Sequence, residues 1–79
     1  MTVKVYAVRD EKTEFLAPTL DYSDATALRN FNLALSRSDT VMGANKSDFC
    51  LYEVGLFDSD SGLLTPTIPP RFVARGGEV

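Results

Sequence analysis

Basic and aromatic side chains, the groups that could hold a charged ligand, occur near both ends of the chain. Proteins bind single-stranded nucleic acid by stacking bases on aromatic rings beside Lys or Arg side chains that meet the phosphates. A lysine and a tyrosine that alternate with valines also form an ordinary solvent-exposed strand face, and this interpretation stays open. The candidate nucleic-acid contacts are Lys4, Tyr6, Arg9, Lys12, Arg71 and Arg75.

The other reactive residue types do not form a catalytic set. The chain has one cysteine, Cys50, and no histidine, so neither the thiol nor a serine has an imidazole base, and a Cys/His zinc site cannot form. The run DSDSG at residues 58–62 resembles the first half of a calcium loop, but Pro69 occupies the position of the bidentate Glu. We predict that the protein is not an enzyme and needs no metal or cofactor.

Length and composition indicate one small globular domain. The 79 residues are 44% hydrophobic and 24% charged, which is ordinary for a globular chain. The formal net charge is −3, so nucleic-acid binding would need a local basic patch. No apolar run reaches membrane-spanning length, and the N-terminus lacks the layout of a signal peptide. We therefore expect no membrane partner and a location in the cytoplasm where the protein is made.

The elements that must position these residues are organised around residues 48–62. Apolar side chains occupy both faces of this stretch, which predicts a central strand packed on each side and a hairpin tip at Asp58–Gly62. We expect one face to carry Phe49, Leu51 and Phe57, and the other to carry Cys50, Tyr52, Val54 and Leu56.

The remaining elements follow from local patterns. Alternation over residues 3–8 predicts a half-buried strand, and residues 14–17 are expected to pair back on it before Pro18 ends the ladder. Ser23 can cap a helix that runs toward Arg37, with a buried stripe of Leu28, Phe31 and Leu35. Residues 38–47 are expected to form a surface loop.

Three prolines in residues 66–70 are expected to break the return strand after Leu64. The predicted fold class is therefore α+β: two β-hairpins form a small antiparallel sheet, one helix packs on it, and a Pro-rich C-terminal arm is extended. Residues 1–65 would be the single domain and residues 66–79 the arm. One helix cannot cover both sheet faces, so we predict a homo-oligomer, with a dimer as the first choice, closed by sheet faces or exchanged arms.

Four stretches carry a resemblance to a known family. They are KVYAVRDEKT at residues 4–13, Pro18 before the helix, ALRNF at residues 27–31 and DFCLYEVGLFDSDSG at residues 48–62. Together they resemble the small nonstructural protein of gokushovirus-type microviruses, icosahedral phages with circular single-stranded DNA. The resemblance implies a viral protein that is absent from the mature particle and acts in DNA replication or genome synthesis, with DNA binding, in the cytoplasm of a bacterial host.

Two functional hypotheses follow. The first is an oligomer that binds single-stranded DNA weakly and without sequence preference through the candidate contacts. The second is an oligomeric adaptor that binds a phage or host protein of replication or capsid assembly and does not contact DNA. A continuous positive stripe would favour DNA binding, whereas the net charge favours the adaptor.

Overall fold

The structure is a computed structural model, and it describes residues 1–78. Its strands form one antiparallel sheet in the order β2, β1, β3, β4. Within residues 1–78, no helix is both long and apolar enough to span a membrane. In chain order the elements are β1 (Thr2–Asp10), β2 (Thr19–Asp21), α1 (Asp24–Leu35), α2 (Val41–Ala44), a 3-10 turn (Lys46–Asp48), β3 (Phe49–Asp58) and β4 (Leu64–Arg75).

The core lies between the sheet and α1. β3 occupies the interior of the sheet, paired with β1 on one side and β4 on the other, as its apolar content on both faces predicted. Phe49 and Leu51 on this strand are each 3% exposed, and they pack with Tyr6 of β1 against the helix. The helix contributes Ala27, Phe31 and Leu35, each no more than 5% exposed.

The start of α1 is set by a capping box. The Ser23 hydroxyl accepts a hydrogen bond from the backbone N–H of Thr26, and the Thr26 hydroxyl accepts one from the backbone N–H of Ser23. These bonds satisfy donors that would otherwise be free at the helix N-terminus, and the predicted Ser23 cap is confirmed. The helix ends at Leu35, short of Arg37, and Leu33 is 68% exposed outside the buried stripe.

The predicted fold class is wrong. The C-terminal segment is not an extended arm but a twelve-residue strand, β4, and all four strands belong to one sheet. β4 lies at the sheet edge, where a proline that lacks an N–H can face away from the ladder. Between the pairs Gly55–Pro66 and Glu53–Arg71, the four residues 67–70 face one residue of β3, so Pro69 and Pro70 lie in an excursion from the ladder. The expected domain boundary after residue 65 falls inside β4.

Two shorter segments also differ from expectation. β2 follows Pro18 rather than preceding it, and Phe15 forms only an isolated bridge with Arg9. The expected loop at residues 38–47 contains α2, which Thr40 caps by accepting a hydrogen bond from Gly43 N–H. α2 approaches the backbone that follows α1 so closely that a Cβ at Gly43 would overlap the carbonyl oxygen of Arg37. This position therefore requires glycine.

A bulge in β3 changes which side chains share a face. The pairs Val5–Gly55 and Tyr6–Glu53 leave Val54 as an extra residue, which reverses the alternation beyond it. Phe57 pairs with Val3, so it lies on the face away from α1, and its predicted place beside Phe49 and Leu51 is wrong. We call the face away from α1 the open face.

Leu51→Ala tests the assignment of the core. Leu51 is 3% exposed, so the truncation should lower the free energy of unfolding by about 2–5 kcal/mol through lost burial and a residual cavity. That is a large share of roughly 4–12 kcal/mol, the net stability typical of a domain of this size. Urea denaturation followed by circular dichroism measures the change.

Leu33→Ala is the matched control, because Leu33 is 68% exposed on α1. It should change the free energy of unfolding by no more than about 0.5 kcal/mol. Equal destabilisation by the two substitutions would show that β3 is not the strand that carries the core.

Candidate functional site

Two of the sequence-predicted contacts, Tyr6 and Arg71, meet at the N-terminus of α1. Tyr6 is 1% exposed, and its hydroxyl donates a hydrogen bond of 2.6 Å to Oδ1 of Asp24. Nη2 of Arg71 donates to the same oxygen at 2.7 Å. A tyrosine of β1, an arginine of β4 and the first residue of the helix are therefore joined at one carboxylate.

The arrangement continues to the buried carboxylate of Glu53 on β3. Arg71 donates to Oε1 of Glu53 from Nε at 3.2 Å and from Nη2 at 2.8 Å, and the Thr67 hydroxyl donates to Oε2 at 2.9 Å. Nζ of Lys4 lies 3.7 Å from Asp24 Oδ1 and 3.9 Å from Glu53 Oε1. We call Lys4, Tyr6, Asp24, Glu53, Thr67 and Arg71 the polar cluster.

Hydrogen bonding sets the protonation states within the polar cluster. Hydrogen bonds from Arg71 and then Tyr6 lower the pKa of Asp24 from its ordinary 3.8 to about 2. Burial alone would raise the pKa of Glu53, but the hydrogen bonds from Arg71 and Thr67 outweigh it and the pKa is lowered. Burial, followed by the bond to Asp24, raises the pKa of the Tyr6 hydroxyl. At neutral pH two carboxylates therefore balance two cations, so the polar cluster carries no net charge.

The position expected for Tyr6 is wrong. The sequence alternation placed its ring on a solvent-exposed face of β1, but the ring is part of the core under α1, where no base can reach it. Both faces of β1 are in fact largely covered, because Val5 and Ala7 on the other face are also buried. Alternation shows that two residues share a face, but it does not show which face meets the helix.

Aromatic side chains form a row across the open face. The ring centroids of Phe15 and Tyr52 lie 5.4 Å apart, and those of Tyr52 and Phe72 lie 5.8 Å apart, both with edge-to-face geometry. Tyr52 is paired with Phe72 across the β3–β4 ladder, and its neighbour Glu53 points to the helix side. Phe15 is 40% exposed and Phe72 is 53% exposed. We call Phe15, Tyr52 and Phe72 the aromatic row.

Three of the predicted basic residues remain outside the polar cluster. Arg9 and Arg75 are both paired with Cys50 in adjacent ladders, so they lie on either side of Cys50 on the open face, next to the aromatic row. The guanidinium of Arg9 lies 5.4 Å from the centroid of the Phe15 ring. Lys12 is exposed in the turn that follows β1.

Carboxylates accompany these cations. Oε1 of Glu11 accepts a hydrogen bond of 3.1 Å from the Tyr52 hydroxyl, and Oε2 of Glu11 lies 3.9 Å from Nη1 of Arg9. Arg75 donates from Nη1 to the Ser47 carbonyl at 3.0 Å, and its Nε lies 3.7 Å from Glu78. Ion pairs this exposed are weak, about 0–1 kcal/mol, so a phosphate could displace the carboxylates.

Sequence reasoning did not identify the aromatic row as a surface. It placed Tyr52 on the central strand and Phe72 within the arm at residues 66–79. The row becomes visible only when β4 is recognised as a strand in register with β3, because the pair Tyr52–Phe72 joins residues twenty positions apart. Phe15 adds to the row from a loop that no periodicity marks.

The fold and this surface define a small domain in which one helix covers one face of a four-stranded sheet and the other face presents aromatic side chains. The model of the family described as Phage ORF5 protein matches residues 3–79, and the chain belongs to this family of phage proteins. No curated protein and no solved structure matches the chain.

The polar cluster predicts an acid-dependent stability. The pKa of Asp24 is lower in the folded state than its ordinary value, so its contribution is complete above about pH 5 and is lost as the pH falls toward 2. In Asp24→Asn, the free energy of unfolding should therefore fall less between pH 5 and pH 2 than in the parent. Urea denaturation at several pH values measures this difference.

Asp39→Asn provides the control, because Asp39 is 73% exposed and its ion pair with Arg37 is 3.8 Å long. This variant should keep the pH dependence of the parent. The assignment fails if Asp24→Asn leaves the slope of stability against pH unchanged.

Proposed function

We propose that this Phage ORF5 family protein is a nonstructural accessory of a gokushovirus-type microvirus that binds single-stranded DNA during viral genome synthesis. The observation that supports the proposal is the aromatic row, which lies on an open sheet face with Arg9 and Arg75 beside it. An open sheet face with aromatic rings and arginines is a surface on which unpaired bases can stack.

Stacking would supply most of the binding energy. Each base on an aromatic ring contributes about 1–3 kcal/mol, and it does so without selecting a sequence because every base has a π-face. Phe72 and Phe15 have the exposure that stacking requires, whereas Tyr52 lies between them and sets their spacing. Duplex DNA should bind less well, since its bases are already stacked on each other.

Few phosphates would be contacted. Lys4 and Arg71 are held in the polar cluster, which leaves Arg9 and Arg75 near the aromatic row and Lys12 in the turn after β1. Three contacts at about −0.7 each give a slope of about −2 for log affinity against log salt. The affinity should therefore be modest and should fall steeply between low and physiological salt.

The proposed action is binding, without catalysis and without a cofactor. Burial raises the pKa of the Cys50 thiol, which is 1% exposed, so the thiol is neither accessible nor activated. The protein would act in the cytoplasm of the bacterial host, where phage DNA is synthesised.

A second candidate function is that of an adaptor for a phage or host replication protein. Within residues 1–78, five of the eight Lys and Arg side chains lie within 4.0 Å of a carboxylate oxygen, so much of their positive charge is offset locally. Ile68 lies in the β4 excursion and is 83% exposed. Thr67 and Arg71, on either side of it in the sequence, both donate hydrogen bonds to Glu53. A protein partner can bury an apolar side chain at this position, whereas a phosphate backbone offers it no apolar contact.

Phe72→Ala separates the two candidates. If the aromatic row stacks on bases, the substitution should weaken binding to every single-stranded oligonucleotide by about 5- to 150-fold, the equivalent of about 1–3 kcal/mol. Fluorescence anisotropy with labelled oligonucleotides of different sequence, at low and at near-physiological salt, measures the affinity.

Tyr22→Ala is the matched control, because Tyr22 is an aromatic residue that is 74% exposed outside the row. Its affinity should equal that of the parent. An absence of binding by the parent protein at low salt, or an equal loss in both variants, would reject the aromatic row as a DNA site and leave the adaptor.

A further inference from the structure

A second surface on the open face lies toward the β3–β4 hairpin tip and is apolar. One row of paired residues runs Leu20, Val5, Gly55, Pro66 across all four strands, and the next runs Val3, Phe57, Leu64. Residues paired across a ladder share a face, and Val5, Val54, Leu64 and Pro66 also line one cavity. We call these residues the apolar ladder: Val3, Val5, Leu20, Val54, Phe57, Leu64 and Pro66.

The two outer leucines of the apolar ladder are left exposed by the rest of the fold, whereas Val5 between them is 8% exposed. α1 packs on the opposite face of the sheet, and Met42 of α2 also packs against that core. Leu20 is 55% exposed and Leu64 is 65% exposed, and in residues 1–78 no helix lies over either of them. The ladder contains no charged residue, so it does not fit a phosphate backbone.

The exposed area favours a second copy of the chain as the partner. The chain exposes 5230 Å², whereas a compact monomer of 8.7 kDa exposes about 4,700 Å². The difference, about 500 Å², is close to what each partner buries in a small specific interface of about 1,000–1,200 Å² in total. The chain is elongated, at 39 × 22 × 19 Å, and the excess belongs to its whole surface, so the excess limits the size of an interface and does not locate it.

The chemistry of the ladder agrees with self-association. In a two-fold dimer the same patch meets itself, so an uncharged apolar patch contacts another with no unpaired charge. Two sheets that pack face to face lie about 10 Å apart and interdigitate their side chains, which would cover the open face of β3 from Val54 to Phe57.

We propose that the apolar ladder is the interface of a homodimer in which two sheets pack face to face. The ladder and the aromatic row share no residue, so the dimer does not depend on DNA binding. They are neighbours on the open face, because Val5 lies two residues from Ala7, which pairs with Tyr52, so the dimer must be offset to leave the aromatic row accessible. An interface of this size gives a weak, reversible dimer with a Kd of about 1–100 µM.

Sedimentation equilibrium of the full chain without DNA, at concentrations from about 1 to 300 µM, spans that Kd and tests the proposal. The parent protein should show a reversible monomer–dimer equilibrium. Leu64→Glu should weaken the dimer at least about tenfold, because it places a charge in an apolar contact. Leu20→Glu should also weaken the dimer at least about tenfold. Because Leu20 is on β2, this result would show that the Leu64 substitution does not act only by disturbing the β3–β4 hairpin.

Leu33→Glu is the matched control, with a leucine that is 68% exposed on the helix side. It should leave the dimer unchanged, and thermal melts should show that all three variants fold. A parent protein that stays monomeric at the highest concentration would overturn the proposal. So would a dimer that survives both ladder substitutions, or one that Leu33→Glu weakens equally.

Discussion

The rest of the structure depends on the buried carboxylate of Glu53. This residue is 8% exposed on the central strand, and a buried charge that loses its partner costs about 3–5 kcal/mol. Arg71 supplies that partner from β4, and its guanidinium reaches Asp24 at the start of α1 as well. One arginine thus fixes the edge strand and the helix to the central strand, which explains why a segment with three prolines is still held in the sheet.

The same cluster divides the candidate nucleic-acid contacts of the chain between two locations. Lys4, Tyr6 and Arg71 balance or satisfy two carboxylates on the helix side, so they stabilise the fold rather than face a ligand. Arg9 and Arg75 lie on the open face, where their carboxylate partners are exposed and weakly held. Residue type alone could not separate these roles, because every one of these residues is a plausible phosphate or base contact.

Local signals predicted the parts of the fold that local physics determines. The Ser23 cap follows from hydrogen bonds within a few residues, and the interior place of β3 follows from apolar side chains on both faces. The wrong predictions concern features that depend on residues far apart in the sequence. Phe57 lies on the open face because the bulge at Val54 shifts the alternation, and nothing in a period-2 pattern marks that position. The aromatic row required the register of β4 against β3, which prolines in the sequence had argued against.

One helix on a long sheet accounts for where both proposed surfaces lie. α1 packs on one face of the sheet, so the aromatic row and the apolar ladder lie on the other face, which no helix of residues 1–78 covers. A chain with a net charge of −3 and few uncommitted cations would bind DNA weakly at one aromatic row. A dimer closed by the apolar ladder would carry two such rows on one particle. The second contact then forms at a high effective concentration, which raises the affinity for a long single strand without any further basic residue.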